Sequence, residues 1–210
     1  MTFPYADMPK SGFTGYGDGG GFTEKDISTS HNVVDTSDYK IYVPGTKMRY
    51  YNSTLKGWGT CIYLRYSKGA ETLAAGYIVQ PDPAETATPK HYNVTGDAST
   101  FVSIGLCTPQ AIALSAMTTA YWGWFWCGGL CPDFFTSASA RFDATTCASD
   151  DSLTAGEGFQ SDLSTDGHLE SWDTISVHTG QGTGCAGYVI TDDGTTTVTM
   201  SKLILMDWWP

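Results

Sequence analysis

The stretch Tyr121-Trp122-Gly123-Trp124-Phe125-Trp126-Cys127-Gly128-Gly129-Leu130-Cys131 decides the fold class. Side chains alternate across an extended strand. Trp122, Trp124 and Trp126 therefore fall on one face, and Tyr121, Gly123, Phe125 and Cys127 on the other. The glycine pair Gly128-Gly129 is expected to break the strand. So apolar a segment aggregates if left bare, which places it inside a β-domain or against another subunit.

The rest of the chain agrees with a β-protein. It has 210 residues, 41 % of them hydrophobic, enough for one domain with a core. Charged residues make up only 16 %, while Gly, Thr, Ser and aromatics are plentiful. That composition favours strands and turns. No window of ten or more residues carries an apolar stripe of helical period. The fold expected is all-β, a barrel or a sandwich.

Working outward toward the N-terminus, residues 58–66 alternate well. Trp58, Thr60, Ile62, Leu64 and Tyr66 share one face, and Cys61, Tyr63 and Arg65 the other. Residues 39–43 and 47–51 are shorter strand candidates on either side of the turn signal Pro44-Gly45. Residues 69–76 form a short connection, with one helical turn at most, into a strand at 77–79. Pro81, Pro83 and Pro89 mark residues 80–90 as an exposed loop. Strand candidates follow at 92–94 and 101–107. Residues 110–114 read as a strand leading to the tryptophans, although Thr108-Pro109 is also a helix-start signal.

Toward the C-terminus, strands are expected around Phe134-Phe135, at 172–177, at 184–191 and at 196–206. Asp166-Gly167 is a hairpin signal, and Asp192-Asp193-Gly194 joins the last two strands. Turn signals every dozen residues fit a barrel or sandwich. Residues 32–210 read as one domain. Residues 1–31 read as a glycine-rich N-terminal arm in which Phe3, Tyr5, Phe13, Tyr16 and Phe22 are spaced. The arm is either a solvated tail or a segment that orders on a neighbouring subunit through those aromatics.

Charge excludes one class of partner. The net charge is −11, unevenly spread. Residues 1–141 carry 11 acids and 10 bases, a balance of −1, whereas residues 142–210 carry 11 acids and Lys202 alone, a balance of −10. A nucleic-acid face needs clustered Lys and Arg, so none is expected. No run of eighteen apolar residues marks a membrane span. Met1-Thr2-Phe3-Pro4 does not read as a signal peptide, so most of the six cysteines are expected as small buried hydrophobes.

Catalytic and metal chemistry find little footing. There is no Gly-x-Ser-x-Gly, and His31, His91, His168 and His178 have no spacing that pairs them with a nucleophile. Cys127 and Cys131 lack two further zinc ligands at compatible spacing, so neither a metal nor a cofactor is expected. A disulfide between them requires a tight turn at the glycines. Asp150, Asp151, Glu157, Asp162, Asp166, Glu170 and Asp173 could supply the two carboxylates of a glycosidase, but most read as turn formers on a solvated acidic face. No catalytic residue is assigned, and a non-enzyme is expected.

Several segments, in chain order, resemble the head decoration (cement) proteins of tailed bacteriophages. They are Pro44-Gly45-Thr46-Lys47-Met48-Arg49-Tyr50; Ile62-Tyr63-Leu64-Arg65-Tyr66 with Gly69-Ala70 and Leu73-Ala74-Ala75-Gly76; and Tyr121-Trp122-Gly123-Trp124-Phe125 with Cys127-Gly128. Leu153-Thr154-Ala155-Gly156 with Ser164-Thr165-Asp166-Gly167, then Gly187-Tyr188-Val189, and residues 198–205 complete the set. Glu157 stands where the family usually shows Asp. The arm and the end Trp208-Trp209-Pro210 have no family counterpart.

The resemblance implies a structural virion protein, made in the host bacterial cytoplasm and bound to the outer face of the head. There it would bridge neighbouring major capsid protein subunits and stabilise the capsid. A homo-oligomer is expected, a trimer before a dimer. The residues expected at partner contacts are Phe3, Tyr5, Phe13, Tyr16, Phe22, Trp122, Trp126, Trp208 and Trp209. Trp124 is expected in the core. For Trp208 and Trp209 the other reading is that they fold back on their own domain. The alternative function is a carbohydrate-binding β-module of a phage fibre or cell surface, with Trp122, Trp124 and Trp126 as its platform.

Overall fold

A computed structural model describes residues 43–68, 73–82, 92–98, 110–132, 139–141, 155–162, 165–171, 185–191, 197–199, 203–205 and 209. These residues form an all-β fold of twelve strands. They are β1 (Lys47–Asn52), β2 (Gly57–Lys68), β3 (Ile78–Pro81), β4 (Asn93–Thr95), β5 (Ala111–Ala113), β6 (Trp122–Leu130), β7 (Ser139–Arg141), β8 (Gly158–Ser161), β9 (Leu169–Ser171), β10 (Gly187–Val189), β11 (Thr197–Thr199) and β12 (Leu203–Leu205). Ten of them join one sheet in the order β1-β2-β4-β3-β5-β6-β12-β10-β8-β9, and β7 pairs with β11 separately.

A further pairing, β2 with β6, closes part of this sheet on itself, so that β2, β4, β3, β5 and β6 form a circuit. β2 runs parallel to β4, and every other pair in the circuit is antiparallel. Ile62, Leu64, Tyr66, Val79, Val94, Ala111, Ala113, Phe125 and Cys127 from these five strands make one buried cluster, joined by Leu73, Met117 and Trp209. The alternation read in residues 58–66 accounts for the β2 contribution. The circuit encloses positions 62, 64 and 66, whereas Trp58 lies on the same side beyond its rim and is 49 % exposed.

β6 does not end at its glycines. It continues through Gly128 and Gly129, which pair with Thr60 and Gly59 of β2. The glycines let two backbones approach. Gly129 has a φ of +68°, and a Cβ there would sit 2.3 Å from the Trp58 carbonyl oxygen. Gly59, opposite, leaves room for β1 to reach across β2: the Tyr50 hydroxyl donates to the Leu130 carbonyl, and a Cβ on Gly59 would lie 2.0 Å from that hydroxyl. Asn52 Nδ2 makes a similar crossing to the Cys131 carbonyl at 2.6 Å. Three strands are thus tied together at the point where the sequence alone suggested a break.

Other expectations meet the same test. The strand at 110–114 is present as β5, and the Asp166-Gly167 hairpin joins β8 to β9. The proline-marked loop begins later than expected. β3 extends to Pro81, and Gln80 and Asp82 are buried, at 0 % and 3 % exposure. Their partners explain this: Gln80 Nε2 donates to Ser161 Oγ at 2.8 Å, and Ser67 Oγ donates to Asp82 Oδ2 at 2.9 Å. The last expected strand is two pieces. β11 pairs with β7, while β12 pairs with β10 and with the end of β6. The arm at 1–31, the candidates at 101–107 and 172–177, Phe134-Phe135 and the turn at 192–194 lie outside the described residues.

Candidate functional site

The tryptophan face of β6 lies inside the chain. Trp122 is 2 % exposed, and Trp124 and Trp126 are 0 % exposed. The register of β1, β2 and β6 puts Met48, Cys61, Tyr63, Trp124 and Trp126 on this one face. The Tyr63 ring stacks on Trp122 with centroids 5.8 Å apart and leans on Trp124 at 5.3 Å. Trp126 Nε1 donates to the Gly128 carbonyl at 3.0 Å. Trp124 is core, as expected. Trp122 and Trp126, expected at a partner contact, are covered within the chain as folded, and the three rings offer no open platform for a sugar.

Trp209 is also internal. It is 5 % exposed and belongs to the cluster enclosed by the strand circuit. Its indole N–H donates to the Gln110 carbonyl at 3.1 Å, and Lys47 Nζ donates to its backbone carbonyl. Between the two readings of this residue, folding back onto its own domain is the one observed. The physical reason is area: burying an indole in a preformed apolar cluster removes far more surface from water than leaving it on an acidic exterior.

Sequence reasoning passed over an aromatic that is exposed, Trp58. Trp58 packs edge-on against Tyr51 at 5.3 Å, and the Arg49 guanidinium lies 5.3 Å from its ring centroid. A Trp, a Tyr and an Arg together on the outer side of a hairpin have the composition of an interaction hot spot. The signal was present but unread. Trp58 sits between Gly57 and Gly59, in a run, residues 43–68, that holds five bases (Lys47, Arg49, Lys56, Arg65, Lys68) and no acid.

Two acids expected at the surface are buried. Asp162 and Glu170 are each 0 % exposed. The β8–β9 register sets Gln160 opposite Glu170, and Gln160 Nε2 donates to Glu170 Oε1 at 2.7 Å. Asp162 follows β8, where its N–H donates to the His168 carbonyl at 2.9 Å. Asp166, the turn residue, accepts the Ala98 N–H at 2.9 Å and anchors the hairpin against the end of β4. His168 packs edge-on to Tyr77. Two-carboxylate hydrolysis needs both groups at an open cleft. Asp162 and Glu170 are closed to solvent in this conformation.

Cys61, Cys127, Cys131 and Cys185 are free thiols, and the first three are buried. Burial pushes the Cys61 thiol well above the usual thiol range, and neighbouring Cys127 and Cys131 push the same way. Tyr188, by contrast, is exposed; the charge of Cys185, then a hydrogen bond to it, then slight desolvation raise its phenol. Among the described residues, no group of three or more His, Cys, Asp and Glu side chains is placed to hold a metal ion. No helix among them is long and apolar enough to cross a membrane.

Phe3, Tyr5, Phe13, Tyr16, Phe22 and Trp208 lie outside the described residues. In comparison with protein families, curated proteins and solved structures, the chain matches none.

Proposed function

We propose that this chain is a structural, non-enzymatic virion protein. It binds the outer surface of a tailed-phage head, bridges neighbouring major capsid subunits and stabilises the shell. The reading rests on the ordered segments that resemble head decoration proteins. One observation supports it: the scattered segments converge. The Pro44-to-Tyr50 segment holds the start of β1, the Ile62-to-Tyr66 segment lies in β2, and the tryptophan segment is β6. Gly187-Tyr188-Val189 is β10, and residues 198–205 include β12. These five strands are joined in the order β1-β2-β6-β12-β10. In the same reading the circuit of β2, β4, β3, β5 and β6 is a small barrel, with residues 1–31 as an arm that reaches the capsid.

The direct test is co-sedimentation of the purified chain with purified expanded heads lacking decoration. Saturable uptake at hundreds of copies per head, with a raised temperature of DNA release, is the expected result. Failure to co-sediment with heads of any expansion state overturns the reading. The carbohydrate-binding alternative now depends on the exposed Trp58 and the half-buried Tyr51 instead of the buried ladder. Saturable sugar-induced quenching that is lost in Trp58→Ala favours it.

A further inference from the structure

The β1–β2 hairpin presents one face to solvent. Arg49 and Tyr51 alternate on β1, and they pair with Thr60 and Trp58 of β2, so the four share that face. Among the described tryptophans only Trp58 is exposed, at 49 %. Arg49 is exposed beside it, with its guanidinium 5.3 Å from the ring centroid. The half-buried Tyr51 meets the same ring edge-on, at an interplanar angle of 66°. The neighbours of Trp58 along its strand, Gly57 and Gly59, put no side chain next to the indole.

The hairpin is held from behind. Tyr50 and Asn52, which alternate to the opposite face, donate to the Leu130 and Cys131 carbonyls, Asn52 at 2.6 Å. Asn52 Oδ1 also accepts the Leu55 N–H at 2.6 Å, which fixes the turn. In that turn the exposed Lys56 has a φ of +57°, a left-handed backbone that disfavours any residue with a Cβ. Glycine would sit there at lower cost, so the backbone does not account for a lysine and its side chain does. A face braced in this way loses little entropy when it is covered. It is also the basic part of an acidic chain: residues 43–68 hold five of the 11 bases and none of the 22 acids.

We propose that this hairpin face docks the folded domain on the head, against a patch of the major capsid protein that is apolar at its centre and carries carboxylates at its rim. The inference rests on the head-surface reading and names the contact within it. Trp58 is the anchor, and Tyr51 supports it from the side. Arg49 keeps its guanidinium edge for a carboxylate while its plane lies over the indole, and Lys56 supplies a second cation at the turn. On a chain of net charge −11 an acidic partner is repelled elsewhere, so the basic hairpin also sets the orientation of docking. A nucleic acid fits less well, because a phosphate track needs clustered cations. Here Lys47 donates to the Trp209 carbonyl and Arg65 Nη1 lies 3.4 Å from Asn93 Oδ1, and neither is exposed. A sugar also fits less well, because Arg49 lies over the Trp58 ring and Tyr51 is turned out of its plane.

Titration of the whole chain onto purified, expanded, undecorated heads, read by co-sedimentation, tests it. Trp58→Ala should weaken uptake at least about thirtyfold, the loss of an anchor. Arg49→Ala should weaken it on the order of tenfold, and Arg49→Glu on the order of a hundredfold, because a carboxylate then meets carboxylates. Wild-type affinity should fall as salt rises, with a shallower slope in Arg49→Ala. Tyr188→Ala, which removes an exposed aromatic from β10, should bind as wild type. Far-UV circular dichroism confirms that each variant is folded; if Trp58→Ala is not, the two Arg49 variants decide. Heads that take up the wild type and a folded Trp58→Ala equally overturn this inference and leave the head-surface reading standing, whereas no uptake of the wild type overturns both. Loss in Trp58→Ala with Arg49→Glu unchanged means a neutral occupant and overturns the acidic patch. Loss in Tyr188→Ala instead of Trp58→Ala moves the contact to β10 and overturns the hairpin.

Discussion

Trp209 separates a residue that holds the domain together from one that waits for a partner, and the two roles predict different numbers. The indole is 5 % exposed within the cluster formed by Ile62, Leu64, Phe125 and their neighbours. Trp209→Ala removes that ring and leaves a cavity that the strand circuit closes only partly, at a cost of about 3–5 kcal/mol. Spread over 210 residues at about 2.1 cal/mol/K each, the unfolding entropy near the midpoint is about 0.44 kcal/mol/K, so the melting temperature should fall by about 7–11 °C. Trp209→Phe keeps most of the apolar area but deletes the N–H that bonds the Gln110 carbonyl at 3.1 Å. It should cost about 1–3 kcal/mol, the range for a buried acceptor left without its donor. Urea unfolding followed by far-UV circular dichroism measures both. The order wild type, Phe, Ala with those gaps is the expected result. A Trp209→Ala protein within about 0.5 kcal/mol of wild type refutes the core assignment.

Three further outcomes follow from the same structure. Gly129→Ala should destabilise by at least about 2 kcal/mol in urea unfolding, because a left-handed backbone at an L-residue costs about 1–2 kcal/mol before its Cβ meets the Trp58 carbonyl. Cys61 should resist alkylation in the folded protein at pH 8 and react on unfolding, as followed by mass spectrometry with a thiol reagent. Its raised pKa also fixes the sign of a pH effect. Above the ordinary thiol range the unfolded chain loses a proton that the folded chain keeps, so stability falls as pH rises, by up to about 1.4 kcal/mol per pH unit for this group. Cys61→Ala should flatten that alkaline fall in a pH series of urea midpoints, even though it lowers stability overall.

The legible part of the fold was the part set by local period. Residues 58–66 and the tryptophan stretch alternate at period two and became β2 and β6. Asp166-Gly167 became the β8–β9 turn, where Gly167 has a φ of +71°. What the sequence did not reveal depends on what lies opposite. Gly128-Gly129 looks like a strand end until Gly59 is placed beside it and Tyr50 is seen crossing to Leu130. Gln80 and Asp82 look like loop residues until Ser161 and Ser67 supply partners. Asp162 and Glu170 look solvated in an acidic third, yet both are buried on a hairpin whose amide, Gln160, meets Glu170. Trp58 shares its alternation with Ile62 and Leu64, and only the end of the strand circuit separates an exposed ring from a core one.

That circuit end explains why the tryptophan strand is buried on both faces. Phe125 and Cys127 face the cluster that the five paired strands enclose, which uses one side of β6. Trp124 and Trp126 then fall outside the circuit, where Met48 and Tyr63 share their face. Past Gly129 the sheet runs on through β12, β10 and β8, where the buried side chains are Val189 and Phe159 and the exposed ones Ile204 and Tyr188. Gly129, with its φ of +68°, and the register shift beside it break the alternation here, and the Leu130 side chain lies over Gly57, on the Tyr50 and Asn52 side of β2. The face that lines the cluster therefore ends with the circuit, and Trp58, Ile204 and Tyr188 are left exposed beyond it.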